Sequence, residues 1–387
     1  MVNGPLWCYF YAMKYVDNEN PMASMRFSCT QVSPNSLVYG TEDDLRKGFA
    51  SIQTYAKPER VFVENNCSVS LVGDDVQGIA DQMDIPWPVY AMDSGGMKGS
   101  FEAGYSAASL RIEKEMKTKE KIPASVNVLG LSTVHMKGRE DAEEIRRLLS
   151  LCGIRVISMP GGGSNWDDIM DAPSASLNIV VRDELGLSLA KQMEQDFGTP
   201  YMSCGLPYGT DGTIAWLSEI TEKLGAGELT RASHEASKLK EFLLRKGNNL
   251  ESLWGPLWFD AVLISAPPSE ALGIAETIRS EWIDTARLVI HAPCATEKTT
   301  PAADAIRIVM KNEKEITQDY EDWLGGLILA SSHETHLLTR MGKPFTGFHI
   351  ALPSHDEVHF SDLPQCGLRG AGYLYEQLWN AKLRKQR

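Results

Sequence analysis

Seven cysteines (Cys8, Cys29, Cys67, Cys152, Cys204, Cys294 and Cys366) are the side chains of this 387-residue sequence best suited to metal or redox chemistry. An odd, widely scattered set with no CxxC pair and no zinc spacing is a poor disulfide framework. Most of these thiols are therefore expected to be buried as small apolar groups. Cys67 and Cys8 stand apart by context. Cys67 follows closely on the apolar run 61–63, which reads as a buried strand, and open α/β sheets hold ligands at the carboxyl ends of their strands. The segment 71–76 can start a helix whose positive end stabilises a thiolate or an anionic cluster. Cys8 closes Gly4-Pro5-Leu6-Trp7-Cys8, a turn that leads into a helix, and so has an equivalent setting. Spacing alone favours a core role for either thiol; two thiols at equivalent junctions shift the balance toward ligation.

Other chemistries find less support. No P-loop is present, and the triple glycine 161–163 does not match the dinucleotide fingerprint, so if the protein takes part in an ATP-driven reaction, the ATP binds elsewhere. His333 and His336 lack the His-Glu-x-x-His spacing, and no Gly-x-Ser-x-Gly elbow supports a hydrolase. His349, His355 and His359 fall in a stretch with Pro and Asp that reads as an exposed loop. No catalytic residue emerges from these patterns.

The elements that must position the thiols follow an α/β rhythm. Short apolar runs (61–63, 126–131, 176–181, 261–265, 288–291, 327–330) alternate with amphipathic helical segments, the pattern of parallel sheets. Thr41, with Asp44 at the capping-box position, is expected to start a helix burying Leu45, Phe49 and Ile52. Cys152 falls on a helical stripe with Ala142, Ile145, Leu148 and Leu149. The polar stretch 225–255 reads as a connection between domains. Length points to two or three domains. The net charge of −13 argues against a nucleic-acid surface, with the basic residues Lys382, Arg384, Lys385 and Arg387 taken as a solvated tail. No apolar run approaches the roughly 20 residues needed to span a bilayer, and the start lacks the features of a signal peptide. A cytoplasmic protein is expected.

The motifs also match a known family in order. Gly4-Pro5-Leu6-Trp7-Cys8 resembles the Gly-Pro-x-x-Cys element of the nitrogenase component 1-like oxidoreductase superfamily, and Leu37–Leu45 is similar to its Val-Phe-Gly-Gly-x-x-x-Leu. The segment from Asn66-Cys67 to Gly73-Asp74-Asp75 resembles the family's Thr-Cys-x-x-x-Ile-Gly-Asp-Asp. Residues 95–104, 175–180, 197–201, 331–334 and 342–345 look like further elements, so the resemblance covers nearly the whole chain.

The resemblance implies three Rossmann-like domains with mostly parallel sheets around a central cleft, here near 1–125, 126–255 and 256–387. It implies a 4Fe–4S cluster shared between subunits, with Cys8 and Cys67 as ligands and Cys29 as a lesser third candidate. The partners implied are a second component 1-like subunit, the same chain or a related one, and an ATP-hydrolysing iron protein that donates electrons. A strand normally precedes the first motif, and the sequence leaves little room for it. The large-cofactor cysteine of the catalytic molybdenum–iron subunit falls at Arg182 here, so dinitrogen reduction in this subunit is not expected. A substrate site is expected between domains, lined by Gly161, Gly162, Gly163, Ser164, Arg182 and the loop around His355. Glycines permit close approach and Arg182 can pair with a carboxylate; the alternative is a surface turn and a structural ion pair.

Overall fold

The computed structural model describes residues 1–20, 23–92, 95–292, 306–310 and 313–385; Cys294 and Arg387 lie outside them. The chain divides into two compact units, Met1–Lys114 and Glu115–Arg387.

The first unit is built on a three-stranded parallel sheet of β1 (Val2–Asn3), β2 (Val61–Asn65) and β3 (Val89–Met92), in that spatial order. Val61 and Val63 alternate with Phe62 and Glu64, as strand geometry requires, and enter one core. Leu45 and Phe49 of the helix Glu42–Tyr55 and Val76, Ile79 and Ala80 of the helix Val76–Asp81 complete that core. Where the sequence leaves little room for a strand ahead of Gly4, Val2 and Asn3 form one. This short β1 matters because Asn3 pairs with Asn65, so two strands end side by side. Thr41 precedes its helix but closes no capping box. Its hydroxyl instead donates to Asp74 Oδ2 at 2.7 Å.

The second unit carries two sheets. One is formed by β4 (Ile122–Leu129), β5 (Arg155–Ser158), β6 (Ala175–Val180) and β7 (Tyr201–Ser203), in the order β5-β4-β6-β7. The other uses β8 (Trp258–Ser265), β9 (Asp284–Ala292), β10 (Ile306–Met310), β11 (Leu327–Ala330) and β12 (Thr346–His349), in the order β10-β9-β8-β11-β12. Every pairing among the described strands is parallel. Both orders reverse once, between β4 and β6 and between β8 and β11, which gives each sheet a Rossmann-like switch point.

Val262 and Ile264 of β8 face a core that also takes Val126 and Val128 of β4, while Leu263 points to the opposite face with Tyr320, Trp323 and Leu338. β8 is thus covered on both sides, as the central strand of a parallel sheet must be. The helix Gly367–Lys385 closes the shared core with Leu374, Leu378 and Trp379. The stretch expected to connect domains is mostly one helix, Thr230–Trp254, that lays Ala232 and Ala236 on the same core. No helix among the described residues is long and apolar enough to cross a membrane.

Candidate functional site

The three expected ligands sit on chain segments at or beside the carboxyl edge of the first sheet. Beyond β1 the chain turns at Gly4-Pro5 into the helix Leu6–Glu19, which places Cys8 in its first turn. Beyond β2, Asn66 caps the helix Cys67–Val72 by accepting from the Val69 amide at 3.0 Å, so Cys67 is itself the first helical residue. A β-carbon on Gly4 would lie 2.7 Å from Asn66 Cγ, and only glycine lets the two loops approach so closely. Cys29 joins them through a bridge to Val2, and its thiol donates to the Gly4 carbonyl at 3.3 Å. Cys8 and Cys67 are exposed, and Cys29 is half-buried. Burial pushes the Cys29 thiol pKa up, and the nearby Cys8 adds to the rise.

A polar network beneath this edge holds the loops, and motif reading missed it. Buried Asn3 donates to Asn65 Oδ1 at 3.0 Å and to Thr41 Oγ1 at 3.2 Å, and accepts from Thr30 Oγ1 at 2.9 Å. Thr30 in turn accepts from the Gly4 amide at 3.1 Å, and Thr41 is tied to Asp74. Buried amides that satisfy one another in this way hold a single arrangement, since any partner lost leaves a desolvated donor. The signal available in the sequence was the row of short polar residues at strand ends, Asn3, Asn65 and Asn66. The same unit exposes Leu6, Trp7, Phe10, Tyr11, Val38, Tyr39, Leu71 and Met97, many of them on the elements that carry the thiols.

In the second unit, the expected substrate residues lie at carboxyl ends of strands but do not form an open site. Arg182 follows β6 at the switch point of its sheet and is fully buried. Its guanidinium donates to Glu270 through Nε at 2.8 Å and to the Gly130 carbonyl at 3.2 Å, with Asp141 at 3.9 Å. Arg182 therefore ties the end of β6 to the helix Pro268–Thr277 as an internal ion pair, with no solvent-facing edge left for a substrate carboxylate. Burial opposes the Glu270 charge, but Arg182 and His135, at 3.5 Å, outweigh it and bring its pKa down to about 2. Burial dominates at Asp141, whose pKa rises to about 6 against the pull of Arg182.

The triple glycine forms a closed turn after β5. Ser164 Oγ accepts from the Met159 amide at 2.9 Å, and the Gly161 carbonyl accepts from Thr133. A β-carbon on Gly162 would lie 2.8 Å from Leu131 Cδ1, so that glycine serves packing. His355 is exposed after β12. His349, expected in a loop, ends β12 and is buried, with Nδ1 2.8 Å from Ser354 Oγ and Nε2 3.3 Å from Thr335 Oγ1.

The family described as nitrogenase component 1 type oxidoreductase matches residues 1–383. The chain belongs to this family. Similar curated proteins include the nitrogenase iron-molybdenum cofactor biosynthesis protein NifE of Clostridium pasteurianum, 29% identical over 65% of this chain and 54% of that protein. The NifE of Nostoc sp. is 26% identical over 98% of this chain and 79% of its own length. One polypeptide of the light-independent protochlorophyllide reductase of Prosthecochloris aestuarii is 23% identical over 88% of this chain and 67% of its own length. The chain thus spans about half of the first relative's length and more of the other two. A solved structure titled Nitrogenase Cp1 at pH 6.5 shares the fold with a TM-score of 0.77 at 17% identity, covering 100% of this chain and 88% of that one.

Several family motifs have a structural explanation here. Ser331 and Glu334 close a capping box at the start of the helix Ser332–Arg340, with the His333 amide donating to Ser331 Oγ at 3.1 Å, which accounts for Ser-Ser-His-Glu without any role for the His333 imidazole. Asp74 of the Gly-Asp-Asp turn anchors Thr41, while Asp75 caps the helix Val76–Asp81 by accepting from the Gly78 amide at 2.9 Å. At the thiol edge the donor set suits an iron–sulfur group, since exposed thiols are its usual protein ligands. Gly96 keeps space clear beside Cys67, where a β-carbon would lie 3.1 Å from Sγ. Among the described residues no three His, Cys, Asp or Glu side chains converge to hold a metal ion within one chain.

Proposed function

We propose that this chain is one subunit of a nitrogenase-like iron–sulfur oxidoreductase. In this reading Cys8 and Cys67 supply half of the ligands of a 4Fe–4S cluster, and a second copy or related chain supplies the rest. An ATP-hydrolysing iron protein delivers electrons. The observation that carries the reading is the pair of exposed thiols leaving adjacent parallel strands at one sheet edge. When bound, such a cluster supplies one-electron transfer at the subunit boundary. The chain's own part is to fix the thiols through the Asn3–Asn65–Thr41 network and to offer the apolar side chains around Trp7 and Leu71 to a partner. Cys29, half-buried and bonded to Gly4, is the weaker ligand. The buried ion pair of Arg182 stands where a large-cofactor cysteine is absent, so the substrate is proposed to be something other than dinitrogen.

A second reading, a scaffold for metallocluster assembly, is favoured by the two NifE proteins among the similar relatives. Anaerobic purification separates cluster binding from packing. Wild-type protein should carry iron and sulfide, while Cys8→Ser and Cys67→Ser should lose most of both and shift toward monomer on sizing. Wild-type iron in both variants would overturn the cluster assignment. Turnover of a reducible substrate with an iron protein and ATP then favours the enzyme, and cluster transfer to another protein without turnover favours the scaffold.

A further inference from the structure

A pocket of about 360 Å³ in the second unit adjoins the loop around His355 but includes neither Arg182 nor the 161–164 turn. It opens between the residue before the helix Gly138–Leu151, the loop 357–361 and one face of the helix Gly367–Lys385, which contributes Tyr373, Gln377 and Arg384.

Lys137 is its most informative wall. The residue is 4% exposed, and its backbone is held at φ +57, a left-handed conformation that lysine rarely adopts. Buried lysines are ordinarily paired with a carboxylate. Among the described residues none lies within ion-pair distance of Lys137; its ammonium donates to the Ser361 carbonyl and sits 5.8 Å from the Tyr373 ring centroid. Ser361 takes one of three donors, so two remain. His359 on the same wall carries a buried Nε2 with no hydrogen-bond partner, 3.9 Å from Glu357 Oε2. Arg384, which reads from sequence as part of a solvated tail, adds a second cation to the lining.

Counting charges decides the ligand class. Among the described lining residues Lys137 and Arg384 are accompanied by a single carboxylate, Glu357, which leaves one positive charge in excess. Phe348, Val358 and Phe360 supply apolar wall on the other side, with Phe360 almost wholly exposed at the mouth. We propose that this pocket binds an organic monoanion of the aryl carboxylate kind, its carboxylate held by Lys137 and Arg384 and its apolar body against Phe348 and Phe360. A phosphate dianion would exceed the available charge. The volume falls within the range of small-molecule sites. The proposal is independent of the thiol edge, because every residue it uses belongs to the second unit.

Titration of the full-length protein with benzoate, followed by calorimetry and by ligand-observed NMR, tests it. Benzoate should bind saturably, with benzamide and inorganic phosphate each weaker by roughly tenfold or more, the loss expected when one charge-assisted hydrogen bond fails. Arg384→Gln should weaken benzoate by about the same factor, and Lys137→Met by at least as much. Because Lys137 is buried, the exposed Arg384→Gln decides the matter if the other variant does not fold. Cys8→Ser combined with Cys67→Ser should bind benzoate as wild type does, whatever its iron content. The proposal is overturned by no saturable benzoate binding up to about 10 mM, by equal binding of benzamide, or by Arg384→Gln binding unchanged.

Discussion

Replacing Arg182 with Met while leaving Glu270 in place should destabilise the second unit more than any other single change in its polar interior. Arg182 and Glu270 are both buried, and the guanidinium is the only cation that faces both Glu270 and Asp141 among the described ion pairs. Its removal leaves two carboxylates in a dry site, and breaking one side of a buried pair costs about 3–5 kcal/mol. Glu270→Gln should cost less, about 1–3 kcal/mol, because Asp141 stands 3.9 Å from the guanidinium and remains as its counter-charge. The double variant Arg182→Met/Glu270→Gln removes both charges and should be more stable than Arg182→Met alone. Urea unfolding followed by circular dichroism reads the difference, with a loss of about 4 kcal/mol moving the midpoint by roughly 1 M or more. A wild-type midpoint for Arg182→Met, or a larger loss for Glu270→Gln, would refute the reasoning. Iron content of the folded fraction should stay at the wild-type level, since the thiols belong to the other unit.

Asp141 gives a pH test: its pKa in the fold is raised from 3.8 to about 6, so between those values the folded state holds a proton that the unfolded chain has released. This group should make stability fall by about 3 kcal/mol as pH rises through that window, and Asp141→Asn should flatten the slope by that share in melts taken from pH 4 to 7. In metal-free protein, iodoacetamide should modify exposed Cys8 and Cys67 first and reach buried Cys152 and Cys366 only on unfolding, as peptide mapping would reveal. Cys152→Ala should keep its iron and cost only about 1–2 kcal/mol in packing. Gly130→Ala should destabilise by about 2 kcal/mol or more in the same urea assay, because Gly130 has φ +91 and the new β-carbon would lie 2.6 Å from the Arg182 carbonyl oxygen.

Sequence periodicity marked the buried strands well where the apolar run was unbroken, as in β11, and the helix that carries Ala142, Ile145 and Leu148. It missed β1, β3, β7 and β12, which are two to four residues long and owe their strand form to a neighbour already in place. The thiol edge was partly legible, because a strand followed by a cysteine fixes where that cysteine emerges. The Asn3–Thr41 network was not, since hydrogen bonds between residues 38 positions apart leave no local pattern. Arg182 shows the same limit. Its position at a strand's end was readable, but the carboxylate that neutralises it comes 88 residues later.

The Asp141 carboxylate also carries a timing problem during synthesis. It accepts from the amides of Gln365 at 2.7 Å and Cys366 at 3.0 Å, and the Gly367 amide bonds the Pro207 carbonyl at 2.7 Å. The helix that follows, Gly367–Lys385, covers apolar surface belonging to both sheets of the second unit. A ribosome adding about 5–20 residues per second reaches position 365 roughly 10–45 seconds after position 141. Throughout that interval the apolar faces that await Leu374, Leu378 and Trp379 remain uncovered. The second unit is therefore committed to finishing its core after translation has passed all of its strands, and a nascent chain stalled before residue 365 is the form most in need of a chaperone.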